Sequence, residues 1–179
     1  MYVLITILIV IVAIVVLFFI IALFSKKSYA VERDIVIDKP VNVVFDYIKF
    51  IKNQDYFNRW TMMDPDMKKD FRGTDGTVGF VYAWNGNKKA GAGEQEIKGI
   101  KNNERLDLQV TFVRPFAGVS DAPFTTQALS GNQTKLTWAV SSTMKYPMNG
   151  MLLFMSMDTL LGKDMEISLQ NLKTILEKK

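Results

Sequence analysis

From residue 147 to residue 177 one apolar face can be followed at helical spacing. Leu153, Met157, Leu160, Leu161, Met165, Leu169, Leu172 and Leu176 recur three and four residues apart, the repeat of one side of an α-helix. A helix of about 25 residues would measure about 38 Å, enough to cross a small domain. Such a face must be buried against something equally long, and the segments before it read as short strands. The chain is therefore expected to build a sheet and close it with this helix, an α+β arrangement. Five of the ten methionines fall between Met148 and Met165. Unbranched thioethers adapt to irregular apolar shapes, so this stretch is expected to form an adaptable wall.

The strands can be placed from their alternation. Val31, Ile35 and Ile37 share one side of residues 31–37. Pro40 suits the first turn of a helix, and Val41, Val44, Phe45 and Ile48 keep helical spacing over residues 39–50. A second helical segment over residues 51–60 carries Tyr56, Phe57 and Trp60. Val78, Phe80, Tyr82 and Trp84 alternate along the next strand, and Asn85-Gly86 is a strong signal for a tight hairpin. The return strand covers residues 88–100, followed by Leu106, Leu108, Val110 and Phe112 on one face of another. Residues 114–120 read as a loop. A last pair, residues 124–129 and 136–144, is joined by Ser130-Gly131-Asn132.

The N-terminus is of another kind. Residues 3–24, opening on Val3 and closing on Phe24, contain Thr6 as their one non-apolar side chain and no charge. About 22 residues rising roughly 1.5 Å each reach about 33 Å, enough to span the hydrocarbon core of a bilayer. The run is longer than the apolar region of a secretory signal and has no basic residue before it. Lys26 and Lys27 read as an anchor flank, although Ser28 and Ala30 could serve a cleavage. A retained single-pass anchor over residues 1–27 is the expectation, with the functional domain over residues 28–179. Because Lys26, Lys27, Arg33 and Lys39 all follow the run, the positive-inside rule puts that domain in the cytoplasm.

Composition removes several chemistries. There is no histidine and no cysteine, so Ser-His-Asp and Cys-His catalysis are excluded. Metal binding would rest on carboxylates alone, and Asp64, Asp66 and Asp70 lack the spacing of a calcium loop. No metal and no cofactor is expected. The Gly73–Gly79 stretch lacks the Gly-Lys-Ser/Thr ending of a phosphate loop and leads into a strand. It reads as a turn. The net charge of +4 is dispersed, with no basic stripe for nucleic acid. Glu94 and Glu96 share a strand face and would couple as an acid–base pair if turned inward. An apolar interior calls for the other register, with Gln95 and Ile97 turned inward and the glutamates in water.

Several stretches carry a family resemblance. They are Ile37-Asp38-Lys39-Pro40-Val41-Asn42-Val43-Val44-Phe45, Trp60 with Met63-Asp64-Pro65-Asp66-Met67, and Gly73-Thr74-Asp75-Gly76-Thr77-Val78-Gly79. Trp84-Asn85-Gly86-Asn87-Lys88-Lys89 and the stretch from Pro147-Met148-Asn149 through Met155 to Gly162-Lys163-Asp164 complete the set. In this order they resemble the START-like (SRPBCC) superfamily, and within it the bacterial polyketide cyclase/dehydrase-like branch. The resemblance runs from about Val31 to the C-terminus and implies a helix-grip fold, a curved antiparallel sheet wrapped on a long C-terminal helix. The family name implies cyclisation or dehydration of polyketides, while many members have no assigned reaction. The N-terminal anchor is an addition, and with a bacterial relative it implies the inner membrane.

Tyr82, Trp84, Phe112, Trp138, Phe154, Met157 and Leu161 would line a cavity between sheet and helix or fill an ordinary core. Gln95, Thr126 and Tyr82 are the polar groups expected to point inward and orient a ligand. The leading expectation is a membrane-anchored domain that binds a hydrophobic small molecule such as a lipid, quinone or polyketide-like compound. A cyclase or dehydratase is the first alternative. The second is a protein-interaction module resembling activators of the Hsp90 ATPase, in which exposed loop aromatics such as Phe116 would matter more.

Overall fold

Helix α1 (Tyr2–Phe24) is apolar on every side, and nearly all its side chains stand exposed. A helix built this way has no stripe to bury against its own domain. It is long and apolar enough to cross a membrane. The computed structural model describes residues 2–178, so Met1 and Lys179, the outer ends of the two expected domains, lie outside the described residues.

Strand β1 (Ser28–Ile37) starts four residues after α1 ends. It is followed by α2 (Val41–Lys49), a 3-10 turn at Ile51–Asn53, the single-turn α3 (Gln54–Phe57) and a second 3-10 turn at Thr61–Met63. The strands then come in succession: β2 (Lys68–Arg72), β3 (Val81–Asn85), β4 (Ala92–Lys101), β5 (Arg105–Arg114), β6 (Gly118–Asp121), β7 (Phe124–Ser130) and β8 (Gln133–Thr143). They form one antiparallel sheet in the order β1-β8-β6-β5-β4-β3-β2, with β7 pairing β5 and β8. A 3-10 segment at Met148–Leu153 leads into α4 (Met157–Glu177). This is the α+β arrangement that the periodicities imply, in the helix-grip form that the family resemblance implies.

The long helix is held along β1 by contacts that advance together on both elements. Arg33 reaches Asp158 at 2.7 Å and Glu166 at 2.6 Å. Further on, Lys173 donates to the Val36 carbonyl at 2.7 Å, and the Asp38 N–H donates to Glu177 at 2.7 Å. Gly162 is what lets the guanidinium cross the helix, because a Cβ there would sit 2.0 Å from Arg33 Nη2. The inner face of α4 contributes Met165, Leu169, Leu172 and Leu176 to the core cluster that also holds Ile37, Phe45, Ile48 and Leu136. Each such side chain, fully buried, contributes about 1.5–3 kcal/mol.

Several segments differ from the sequence expectation. The strand read from Val78 begins at Val81, with Val78 exposed in the preceding turn. The helical stretch read over residues 51–60 is broken into a 3-10 turn and the short α3. Helix α4 is 21 residues long because Ser156 caps it, accepting from the Thr159 N–H at 3.2 Å. The methionine-rich stretch therefore divides: Met157 and Met165 lie on α4, whereas Met148, Met151 and Met155 precede it. Asn85-Gly86 opens a longer loop in place of a two-residue turn, since Gly86 N–H bonds to the Gly91 carbonyl at 2.8 Å. Asn87 organises that loop by accepting from Lys89 N–H at 2.8 Å and Ala90 N–H at 3.1 Å. Finally, the loop read over residues 114–120 contains β6.

The Gly73–Gly79 stretch is a turn held at positive φ by its glycines, with φ of 85°, 80° and 86° at Gly73, Gly76 and Gly79. Within it Asp75 accepts from the N–H groups of Ile51 at 2.8 Å and Lys52 at 3.2 Å. That carboxylate caps the turn leading into α3.

Candidate ligand cavity

Between the concave face of the sheet, the segment from Gln54 to Thr61 and the first turns of α4 lies a cavity of about 240 Å³. Its walls are mostly apolar: Tyr82 and Trp84 from β3, Val110 and Phe112 from β5, Trp138 and Val140 from β8. It is open where its lining side chains are themselves exposed, at Lys89, Phe112, Arg114 and Pro115. Arg114 ties the two loops there together, donating to the Gly86 carbonyl at 3.2 Å.

Of the nine residues singled out from sequence, six line this space: Tyr82, Trp84, Gln95, Phe112, Trp138 and Leu161. The other three stand elsewhere. Thr126 is buried on β7. Met157 packs at the edge of the core. Phe154 is 79% exposed and stacks on Phe18 of α1 with ring centroids 6.4 Å apart. The long helix gives the cavity only Leu161 among the described residues, so the wall is built chiefly from strands and from the α3 segment.

That segment supplies polar groups that the sequence reading passed over. The Trp60 N–H can only donate, and it donates to Asn58 Oδ1 at 3.0 Å. This fixes which end of the Asn58 amide is oxygen, so its Nδ2 donates to Gln54 Oε1 at 2.9 Å. Gln54 is in turn oriented with Nε2 free of any protein partner. Both amides are buried, Gln54 at 2% and Asn58 at 5% exposure. A signal for them existed: Gln54 stands three residues after Ile51 and three before Phe57, both fully buried. A polar residue at that register sits on an apolar face.

The aromatic wall is ordered by ring contacts. Trp138 stacks on Phe124 at 4.9 Å and receives Trp60 edge-on at 5.6 Å. Its indole Nε1 has no partner, whereas Trp84 Nε1 donates to the Ala90 carbonyl at 3.0 Å. Tyr82 turns its hydroxyl away, donating to Asp55 at 2.6 Å, while Asp55 pairs with Lys69 at 2.8 Å. Burial first, and the Asp55 hydrogen bond second, push the Tyr82 phenol well above its ordinary value. It stays protonated and does not offer a base to the cavity.

No Asp or Glu stands among the described residues lining this space. Glu94 pairs with Arg72, and Glu96 pairs with Lys98 at 2.6 Å. Asp121 is exposed and accepts from Gln109 at 3.3 Å. Asp64 accepts from the Asn87 N–H at 2.7 Å and so ties a loop.

The cavity-bearing domain also grips α1. Asn149, fully buried, donates from Nδ2 to the Ala22 carbonyl at 2.6 Å. Gly150 lies so close that a Cβ there would be 2.6 Å from the Phe18 ring and 3.1 Å from Ala22 Cβ. Tyr146 meets Phe19 at 6.2 Å. The segment expected to wall the cavity with methionines thus serves as the seat of the N-terminal helix.

Comparison with solved structures settles the fold. Norcoclaurine synthase from Thalictrum flavum, solved with dopamine and hydroxybenzaldehyde, superimposes with a TM-score of 0.62 at 11% identity, over 89% of this chain and 93% of that one. The Zhui aromatase/cyclase from Streptomyces sp. R1128 gives 0.61 at 10% identity, over 84% and 94%. The chain has the START-like helix-grip fold. A protein from Arthrobacter aurescens aligns at 17% identity with a TM-score of 0.56, over 86% of this chain and 88% of that one. No protein-family model and no curated protein sequence matches the chain. At these identities the START-like likeness speaks for architecture, and the cavity must argue for itself.

Proposed function

We propose that this START-like domain binds a hydrophobic small molecule, of lipid, quinone or polyketide-like character, in the cavity beneath Trp138, and that α1 anchors it to a membrane. The observation that carries this reading is the cavity itself: about 240 Å³, walled by aromatic side chains and open on one side. Pockets of this kind gain affinity from apolar burial and orientation from a few polar groups. The unbroken apolar surface of α1 supports the anchor. The Asn149 and Gly150 contacts support a domain held against the end of that anchor rather than swinging on a linker. Lys26 and Lys27, just after α1, support a cytoplasmic side for the domain; a bacterial inner membrane is part of the same proposal.

Extraction of the full chain in mild detergent, followed by mass spectrometry of bound small molecules, tests the reading. A hydrophobic compound should co-purify with the wild type and be depleted from a Trp138→Ala variant of equal fold. Equal recovery from both would refute the assignment of the cavity. The anchor is tested separately: the chain should stay in the membrane pellet after alkaline carbonate washing. Because the chain has no cysteine, a single one introduced at Lys52 reports the side of the membrane on which the domain lies.

The absence of any cavity carboxylate among the described residues and the locked Tyr82 phenol weigh against a cyclase or dehydratase.

A further inference from the structure

Two buried donors in the cavity wall have no acceptor. Gln54 Nε2 and Trp138 Nε1 are both without a hydrogen-bond partner, on side chains 2% and 4% exposed that line the cavity. Neither can reverse its polarity. An indole N–H only donates, and the Gln54 amide is held by the relay from Trp60 N–H through Asn58 at 3.0 and 2.9 Å. On the open side, Lys89 and Arg114 likewise carry only donors, and no Asp or Glu among the described residues lines the space. A buried donor left without an acceptor is costly, and the cost is relieved by whatever brings an oxygen to it.

We propose that the cavity selects apolar molecules carrying a carbonyl oxygen, which accepts from Gln54 Nε2 or Trp138 Nε1. A carbonyl oxygen accepts and cannot donate, so it suits either N–H. An apolar molecule with no acceptor leaves both unsatisfied, and one with an N–H in that place sets donor against donor. This rests on the reading that the cavity takes a hydrophobic small molecule and adds the polarity of the group it recognises.

Three planar tricyclic probes of one shape test it: 9-fluorenone presents an acceptor, fluorene neither, carbazole a donor. Binding to the full chain in detergent is followed by quenching of tryptophan emission, for the wild type and for Gln54→Met, Trp138→Phe and Gln54→Glu. Partition of each probe into detergent is the same for every variant and cancels in the comparison. The ratio of fluorenone to fluorene affinity should fall about tenfold in Gln54→Met, in Trp138→Phe or in both, as loss of one buried hydrogen bond requires. Gln54→Glu, which puts an acceptor where the donor was, should move the preference toward carbazole. Circular dichroism confirms that each variant is folded, and Gln54→Glu carries the test should Gln54→Met unfold. If all three probes bind and their ratios do not change between variants, ordered water satisfies the two donors and the proposal is overturned. If none of the probes binds the wild type, the binding function of the cavity falls with it.

Discussion

Replacing Asn149 with alanine should uncouple the N-terminal helix from the domain. In the native chain the Ala22 carbonyl takes two hydrogen bonds, one from Asn149 Nδ2 at 2.6 Å and a longer one from the Ser25 N–H at 3.3 Å. It belongs to the last turn of α1, where carbonyls have no partner within the helix. Alanine at 149 removes the shorter bond from a fully buried position and leaves a void beside Gly150. Loss of a buried hydrogen bond of this kind costs about 1–3 kcal/mol. Since 1.4 kcal/mol is about tenfold in an equilibrium constant, the ratio of seated to unseated anchor should fall between about fivefold and a hundredfold. The remaining contacts, Phe18 on Phe154, Phe19 near Tyr146 and Gly150 against Phe18 and Ala22, are made with or without Asn149 and so do not make up the lost bond. Spin labels on cysteines introduced at Leu8 and Lys52 report this directly in a chain that has none of its own. A narrow distance distribution in the wild type should broaden in Asn149→Ala. Equal widths in the two proteins would mean that the seat contributes nothing, and the reasoning would fail.

Other consequences concern the grip of α4 and the cavity wall. The Asp158 carboxyl is held below its ordinary value, chiefly by its hydrogen bond from Arg33. Its contribution to stability is therefore present above the unfolded value near about 4 and is lost as pH falls from there. Urea midpoints should drop on acidification through that window, by less in Arg33→Met. Tyr82 behaves in the opposite sense: its raised value favours the folded state below about pH 10, a contribution lost as pH rises beyond it. Tyr82→Phe should remove that alkaline loss, and absorbance at about 295 nm should show one phenol fewer titrating only on unfolding. Leu172→Ala, at a fully buried position on α4, should cost about 2–5 kcal/mol in denaturant titration. Leu160→Ala, at a site 52% exposed, should stay within about 0.5 kcal/mol.

Much of the architecture could be read from period alone. Leu136, Trp138 and Val140, or Val31, Ile35 and Ile37, alternate because one face of a strand is buried and the other is not. Met165, Leu169, Leu172 and Leu176 repeat because they share a helix face. Both patterns are local, and local patterns survive in one dimension. What period does not encode is where a regular element stops. Residues 147–156 keep apolar side chains at helical spacing, yet Asn149, Gly150 and Phe154 are used for contacts with α1, more than 120 positions away in the chain. Nothing near them in sequence announces that partner.

The same distinction runs through the cavity. Its aromatic walls follow from strand alternation, and Tyr82, Trp84, Phe112 and Trp138 could be placed there by their faces. Its polarity could not, because it depends on a relay. A residue pattern shows Gln54 and Asn58 one helical turn apart but not which atom of either amide faces the space. That choice is made by Trp60, whose backbone N–H must donate and so turns Asn58, which turns Gln54. A single backbone proton thus decides that the wall offers N–H rather than oxygen. Asn58 is itself part of the wall; replacing it with leucine, of similar size, would break the relay and leave Gln54 free to flip its amide. Selectivity between acceptor and donor probes should then shrink while the cavity keeps its shape. A loss of binding for every probe alike would instead mark Asn58 as a residue of packing alone.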